Sequence, residues 1–182
     1  MEIKDNISSN IIFITGGTKS GKSEFAEYLG SKIKKITYIA LSDPRPRDIT
    51  WQKKIIKHRK RRPSEWGLVE TNNLIHTLKS ENGPILIDSI GGFIMESINK
   101  NDEEWQKMIC LLLDHLARRV KTTLIVGEQV GWSLVSEYEI GNTYIERLGD
   151  LQKRITKISL ENWLTLNGRA IKLDNISIEI PT

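Results

Sequence analysis

Cysteine is nearly absent from this chain, with one, Cys110, in 182 residues. A single thiol closes no internal disulfide, so a reducing compartment is expected. Cys110 itself reads as a core residue. No Cys/His spacing fits a structural zinc site. No apolar run approaches the roughly 18 to 20 residues of a membrane span. The start, Met1-Glu2-Ile3-Lys4-Asp5-Asn6, is polar and has no apolar leader segment. The cytoplasm is therefore the expected location, with no membrane span. Proline is scarce at 5 residues, and 38% of residues are hydrophobic against 27% charged. That balance excludes whole-chain disorder, collagen and low complexity. There is no internal repeat and no linker. At roughly 150 residues per domain, one domain is expected over 1–182, with 1–10 as a loose N-terminal extension. Such a chain can bury roughly 70% of its unfolded surface.

What is present is mildly basic. Lys+Arg number 27 and Asp+Glu 23, a net charge of +4 with a pI near 9.1. This favours an anionic ligand without choosing between nucleotide, nucleic acid and membrane surface. Short β-branched apolar runs recur at Ile11–Thr15, Ile36–Ala40, Ile85–Asp88 and Thr122–Val126. Helical stretches separate them, which predicts an α/β fold with a mainly parallel sheet covered on both faces. The spacing predicts helices over Lys22–Lys32, Glu103–Val120 and Tyr144–Leu160. Asp102 reads as the N-cap of the second, with Leu111, Leu112, His115 and Leu116 near one face. In the third, Ile145, Leu148, Leu151, Ile155 and Ile158 form the apolar stripe. Trp163–Leu166, Asn167-Gly168 and Arg169–Leu173 read as a closing antiparallel hairpin. Leu41–Asp48, with Pro44 and Pro46, reads as a loop.

The strongest motif is Gly16-Gly17-Thr18-Lys19-Ser20-Gly21-Lys22-Ser23, which fits G-x-x-x-x-G-K-[ST] between a strand and a helix. Its glycines let the backbone curl so that several N–H groups face the same phosphates. The helix that follows adds its positive end. Lys22 is expected on the β- and γ-phosphates and the Ser23 hydroxyl on Mg²⁺. Asp88 ends an apolar strand, where P-loop enzymes keep a metal-linked carboxylate. The alternative reading is an ordinary strand-end Asp capping the next helix. Ala40, Leu41 and Ser42 stand at the carboxyl end of a strand, where open α/β sheets bind ligands.

Seven Lys/Arg and His58 fall between Lys53 and Arg62. The segment suits a solvated basic face, a nucleic-acid contact beside Trp51 and Trp66, or a triphosphate clamp. His58 alone reads as a surface residue. Basic neighbours would keep its imidazole neutral, the form a nucleophile at phosphorus requires. His76 reads as structural and His115 as a satisfied core or interface residue.

Together these residues carry a family resemblance. The loop Gly16–Ser23 is followed by Tyr38-Ile39-Ala40. Then come His58, Arg62-Pro63, Trp66 and Glu70 in the pattern His-x-x-x-Arg-Pro-x-x-Trp-x-x-x-Glu, and later Val130-Gly131 and Leu134-Val135. From Ile11 to Leu173 the chain resembles the bifunctional adenosylcobinamide kinases / adenosylcobinamide-phosphate guanylyltransferases of cobalamin biosynthesis. The resemblance implies two reactions. A γ-phosphate moves from ATP or GTP to the hydroxyl of adenosylcobinamide. GMP then passes from GTP through a guanylylated histidine, by position His58, to adenosylcobinamide phosphate. It also implies a corrinoid partner, no nucleic acid, and a homotrimer. Catalytic roles fall on His58 and Lys22. Nucleotide contacts fall on Gly16–Ser23, Ala40, Leu41, Ser42, Arg62, Pro63, Ser64, Glu65, Trp66 and Glu70, and Mg²⁺ falls on Ser23 and Asp88. Trp66 could instead be a core aromatic. The chain departs from the family pattern at Pro44–Asp48, at Ile90-Gly91 and Phe93, and at Glu128-Gln129, where the acidic position is displaced by one. A guanylyltransferase without the kinase step, and a P-loop NTPase binding nucleic acid through Lys53–Arg62, are the competing readings.

Overall fold

The computed structural model describes residues 9–41, 62–132 and 136–181. Among these residues one sheet collects seven strands: β1 (Ile11–Gly16), β2 (Thr37–Leu41), β3 (Gly67–Thr71), β4 (Ile85–Asp88), β5 (Thr123–Val126), β6 (Glu161–Leu166) and β7 (Arg169–Lys172). Their order is β3-β2-β4-β5-β1-β6-β7. Every pairing is parallel except the terminal β6–β7 hairpin. The central strands are apolar throughout because helices cover both faces. The α/β sheet with its antiparallel edge is as the sequence predicts.

Five α-helices appear among the described residues: α1 (Lys22–Gly30), α2 (Leu74–Ser80), α3 (Gly91–Glu96), α4 (Asp102–Ala117) and α5 (Glu139–Ile158). The larger core lies under α2 to α5. It joins Phe13, Ile39, Ile87 and Ile125 of the sheet to Leu74, Phe93, Trp105, Leu112 and Leu151. The smaller core lies under α1, where Ala26 meets Ile14, Tyr38, Leu86 and Val126. Helix α4 buries Trp105, Ile109, Leu112 and Leu116, at i, i+4, i+7 and i+11. Each fully buried side chain of this size is worth about 1.5–3 kcal/mol.

Several boundaries differ from the sequence reading. Asn101, not Asp102, caps α4. Its side chain accepts from Glu104 N at 2.9 Å, and Glu104 Oε2 accepts from Asn101 N at 3.2 Å, a closed capping box. Asp102 is the first helical residue, where its charge still suits the dipole. Leu111 and Cys110 are exposed, because the buried stripe runs through Ile109 and Leu112 instead. His115 Nε2 is buried without a hydrogen bond among the described residues, so His115 is not the satisfied residue expected. His76 is exposed. Helix α5 begins at Glu139, five residues before the expected start. Leu41 ends β2 and packs into the larger core rather than opening a loop. The hairpin turn is as read: Asn167 and Gly168 take φ of 50° and 74°, the left-handed pair of a two-residue turn matched to strand twist.

Candidate active site

The parallel registers bring four strand ends into one row. Ile14 pairs with Val126, Val126 with Asp88, and Asp88 with Ala40. The P-loop leaves β1 just beyond this row. Its first glycine is a close-approach position. A Cβ on Gly16 would lie 2.5 Å from Thr165 O, 2.6 Å from Ser20 Oγ, and closer still to Thr165 Oγ1. Only glycine lets the loop start against β6. Two contacts then fasten the loop to the hairpin: Ser20 Oγ shares a 2.8 Å hydrogen bond with Thr165 Oγ1, and Gly168 N donates to Ser20 O at 3.0 Å. Lys19 and Gly21 turn the chain at φ of 58° and 99°. Thr18 and Lys19 face solvent, and Gly17, Lys22 and Ser23 are half-buried. Lys22 Nζ donates to Gly17 O at 3.1 Å. The ammonium thus lies over the loop it would share with a phosphate.

Asp88 stands at the end of β4. Its Oδ2 accepts from the Tyr38 hydroxyl at 2.6 Å. Burial, reinforced by the Asp88 charge, pushes the Tyr38 phenol far above its ordinary pKa, so it remains a donor. The Tyr38 ring also carries Arg62, whose guanidinium carbon lies 3.3 Å from the centroid. Arg62 Nε also lies 3.9 Å from Glu27 Oε1 of α1. Arg62, where the described chain resumes, is therefore tied through Tyr38 to the Asp88 carboxylate.

Glu128, two residues past β5, stands out in the sequence only as a departure from the family pattern. Its carboxylate accepts from the Ser89 hydroxyl and from Gly91 N at 3.2 Å. Burial raises its pKa most. Asp88 adds to this, while Ser89, Lys22 and the Gly91 N–H act against it. Its backbone is strapped down: Gln152 Nε2 donates to Glu128 O at 3.0 Å, and Gln129 N donates to Gly16 O at 3.0 Å. A Cβ on Gly91 would lie 2.9 Å from both Glu128 oxygens and nearer still to Tyr144 Oη. The two departures noted in the sequence, Gly91 and Glu128, thus touch each other. The absent side chain at 91 is the space the carboxylate fills. A polar residue just past an apolar strand is a common pattern, and only the strand order puts this one at the P-loop edge.

Not all expected residues meet here. The structure gathers Gly16–Ser23, Ala40 and Asp88 at one edge. Leu41 buries its side chain in the larger core, and its main chain pairs with Thr71 and packs against Gly92. Trp66 packs on the smaller core, its ring filling the space at Gly30 beside Ile36. That is the far end of α1 from the loop, so the ring occupies the core setting left open for it. Its neighbours Pro63, Ser64 and Glu65 precede β3 at that same amino edge. Glu70 pairs with Ala40 on β3, four strands from β1, or roughly 19 Å at about 4.8 Å per strand. His58, Ser42, the rest of Lys53–Arg61 and Leu134-Val135 lie outside the described residues.

As to the metal, the oxygens of Ser23 and Asp88 at one sheet edge fit Mg²⁺, which takes one or two protein ligands and completes its shell with phosphate and water. Among the described residues no group of three or more His, Cys, Asp or Glu could hold an ion alone. No helix among them is long and apolar enough to cross a membrane.

A parallel sheet carrying this loop, lysine and strand-end aspartate defines a P-loop nucleotide-binding protein. One solved structure, an ATPase from the type III secretion system of pathogenic bacteria, superposes with a TM-score of 0.52 at 11% identity. It covers 85% of this chain, which spans half of that ATPase's length, and the likeness concerns the fold alone. The family described as cobinamide kinase / cobinamide phosphate guanyltransferase (CobU) matches residues 12–173, and the chain belongs to that family. The bifunctional adenosylcobalamin biosynthesis protein CobU of Escherichia coli (strain K12) is 26% identical over 181 residues, covering 90% of this chain and 99% of that protein. Its Salmonella typhimurium counterpart is 25% identical over the same shares. The chain is accordingly an enzyme, a nucleotide-binding transferase of cobalamin biosynthesis.

Proposed function

We propose that this enzyme phosphorylates the hydroxyl of adenosylcobinamide with ATP or GTP, then transfers GMP from GTP to adenosylcobinamide phosphate through a guanylylated His58. The product is adenosylcobinamide-GDP. The observation that carries the reading is the family match over 12–173 on a chain whose P-loop, Asp88 and Glu128 share one sheet edge. Phosphoryl transfer is largely a matter of positioning and charge neutralisation. In this reading the loop N–H groups and Lys22 hold the triphosphate, while Ser23 and Asp88 would hold Mg²⁺. When bound, Mg²⁺ supplies positive charge on the phosphate oxygens. Tyr38 aims Asp88, and Arg62 stacks on Tyr38.

For the second reaction the nucleophile is the imidazole of His58, four residues before Arg62 in the His-x-x-x-Arg-Pro pattern. The imidazole nitrogen forms a bond to the α-phosphorus and pyrophosphate leaves. The phosphate oxygen of the corrinoid then attacks that phosphorus and the histidine leaves, restoring the imidazole. No observation among the described residues favours the nucleic-acid reading.

The test is product formation from labelled nucleotides. With γ-labelled ATP and adenosylcobinamide, label should enter the corrinoid. With α-labelled GTP and adenosylcobinamide phosphate, the GMP moiety should. Label in neither product would overturn the proposal. Label only in the second would leave a guanylyltransferase without the kinase step.

A further inference from the structure

We propose that Glu128 is a catalytic residue of the phosphoryl-transfer step, taking up the proton of the attacking substrate hydroxyl. This rests on the kinase reading above. Strand β5 lies between β1, which ends in the P-loop, and β4, which ends in Asp88. A carboxylate just past β5 therefore stands between the phosphate-binding lysine and the metal-linked aspartate. Glu128 occupies that place, and both Lys22 and Asp88 are near enough to act on its charge.

Its oxygens are held on two sides by neutral donors, the Ser89 hydroxyl and the Gly91 N–H. No arginine or lysine forms an ion pair with it among the described residues. Ionised, this carboxylate is an acceptor with capacity beyond those two bonds. Facing it are Asp88 and Ser89 from the end of β4, Lys22 from α1, Gly91 from α3 and Tyr144 from α5. Its backbone is clamped by Gln152 and by the Gln129 N–H on Gly16 O, so the group is preorganised rather than on a free loop.

The step balances without another reactant. The substrate oxygen forms a bond to the γ-phosphorus, and its proton passes to a Glu128 oxygen. The bond from the γ-phosphorus to the bridging oxygen breaks, and the nucleoside diphosphate leaves with that electron pair. Glu128 returns its proton to solvent after product release. Ser89 acts as a positioning residue by fixing the Glu128 rotamer.

The test compares native enzyme with Glu128→Gln and Glu128→Asp, using γ-labelled ATP and adenosylcobinamide, with melting curves and labelled-ATP binding measured alongside. Gln keeps an acceptor for Gly91 N and Ser89 but takes no proton. The expected result is a fall in kcat on the order of 10²-fold or more for Gln. KM for ATP should not rise and the melting temperature should not fall, and the Asp variant should retain part of the rate. A Glu128→Gln enzyme with native kcat overturns the inference and leaves the kinase reading intact. Loss of rate together with loss of ATP binding and a lowered melting temperature overturns it too, because that marks a structural staple. Native enzyme that transfers no γ-phosphate overturns both this inference and the reading beneath it.

Discussion

Replacing Gly16 by alanine drives a methyl group into β6. The new Cβ would lie 2.5 Å from the Thr165 main-chain oxygen, 2.6 Å from Ser20 Oγ, and closer still to Thr165 Oγ1. A side chain can rotate away, but the Thr165 oxygen is main chain in a strand paired with β1. Two strands must separate at the mouth of the P-loop. Overpacking of this kind costs about 1–3 kcal/mol. Losing the Ser20–Thr165 hydrogen bond adds about 1 kcal/mol, so a total of roughly 2–4 kcal/mol is expected. For a chain of this size each kcal/mol lowers Tm by about 2–4 °C. The melting temperature should therefore drop by roughly 4–16 °C, and ATP affinity should fall with it because Ser20 belongs to the loop.

Two companions sharpen the reading. Gly17→Ala meets nothing within 4 Å, so it should melt like the native protein. Adding Thr165→Ala to Gly16→Ala removes the hydroxyl contact but not the main-chain one, so rescue should be incomplete. A Gly16→Ala protein with native melting temperature and native ATP binding would refute the claim that the hairpin buttresses the loop.

Other consequences follow from the same contacts. Folding raises the Glu128 pKa, so the folded state binds that proton more tightly than the unfolded chain. Ionisation then costs stability as pH rises above the ordinary value of 4.5. Glu128→Gln should consequently melt higher than the native protein at pH 7, with the gap closing toward pH 4.5; a lower melting temperature at pH 7 contradicts this. Tyr38→Phe removes the donor to Asp88 Oδ2 and should raise the Mg²⁺ concentration needed for half-maximal phosphoryl transfer several-fold, while unchanged Mg²⁺ dependence would separate Tyr38 from the metal. The Arg119 guanidinium donates to Glu81 O and Gly83 O, and its Nε to Thr123 Oγ1 at 3.0 Å. Arg119→Ala should cost about 2–4 kcal/mol in urea unfolding, since it strands two carbonyls. Trp66→Ala opens the packing over Gly30 and should lower stability by about 2–4 kcal/mol, and a native denaturation midpoint would return the ring to the ligand-binding role.

The parts of the fold legible in the sequence are those with strong periodicity or chemistry. The runs at Ile11–Thr15 and Ile85–Asp88 are continuous and β-branched, as buried parallel strands must be. Asn167-Gly168 announces its turn through positive φ. Strand β3 carried no such signal. Gly67–Thr71 is an edge strand in which only Val69 and Thr71 are half-buried and Leu68 is exposed, so its side chains show no apolar face to read. Helix α3 opens with Gly91-Gly92, the weakest helix-forming pair short of proline. It forms because Phe93 and Ile94 bury into the larger core. Asn101 lost the capping assignment to Asp102 because both residue types cap well, and only the reciprocal Glu104 contact separates them. The phosphate loop and Asp88 were readable because strand-loop-helix spacing places them. The place of Glu128 was not, since it depends on β5 lying between β1 and β4, an order that no local pattern encodes.

The central claim is that this enzyme works through a histidine-bound nucleotide as well as a P-loop. It is tested by incubating native protein and His58→Ala with Mg²⁺ and α-labelled GTP, then reading label on the protein by gel and intact mass. The account predicts an acid-labile, base-stable GMP adduct on the native chain that is missing from His58→Ala. A native protein that binds GTP yet carries no adduct, or an adduct that persists in His58→Ala, would contradict it.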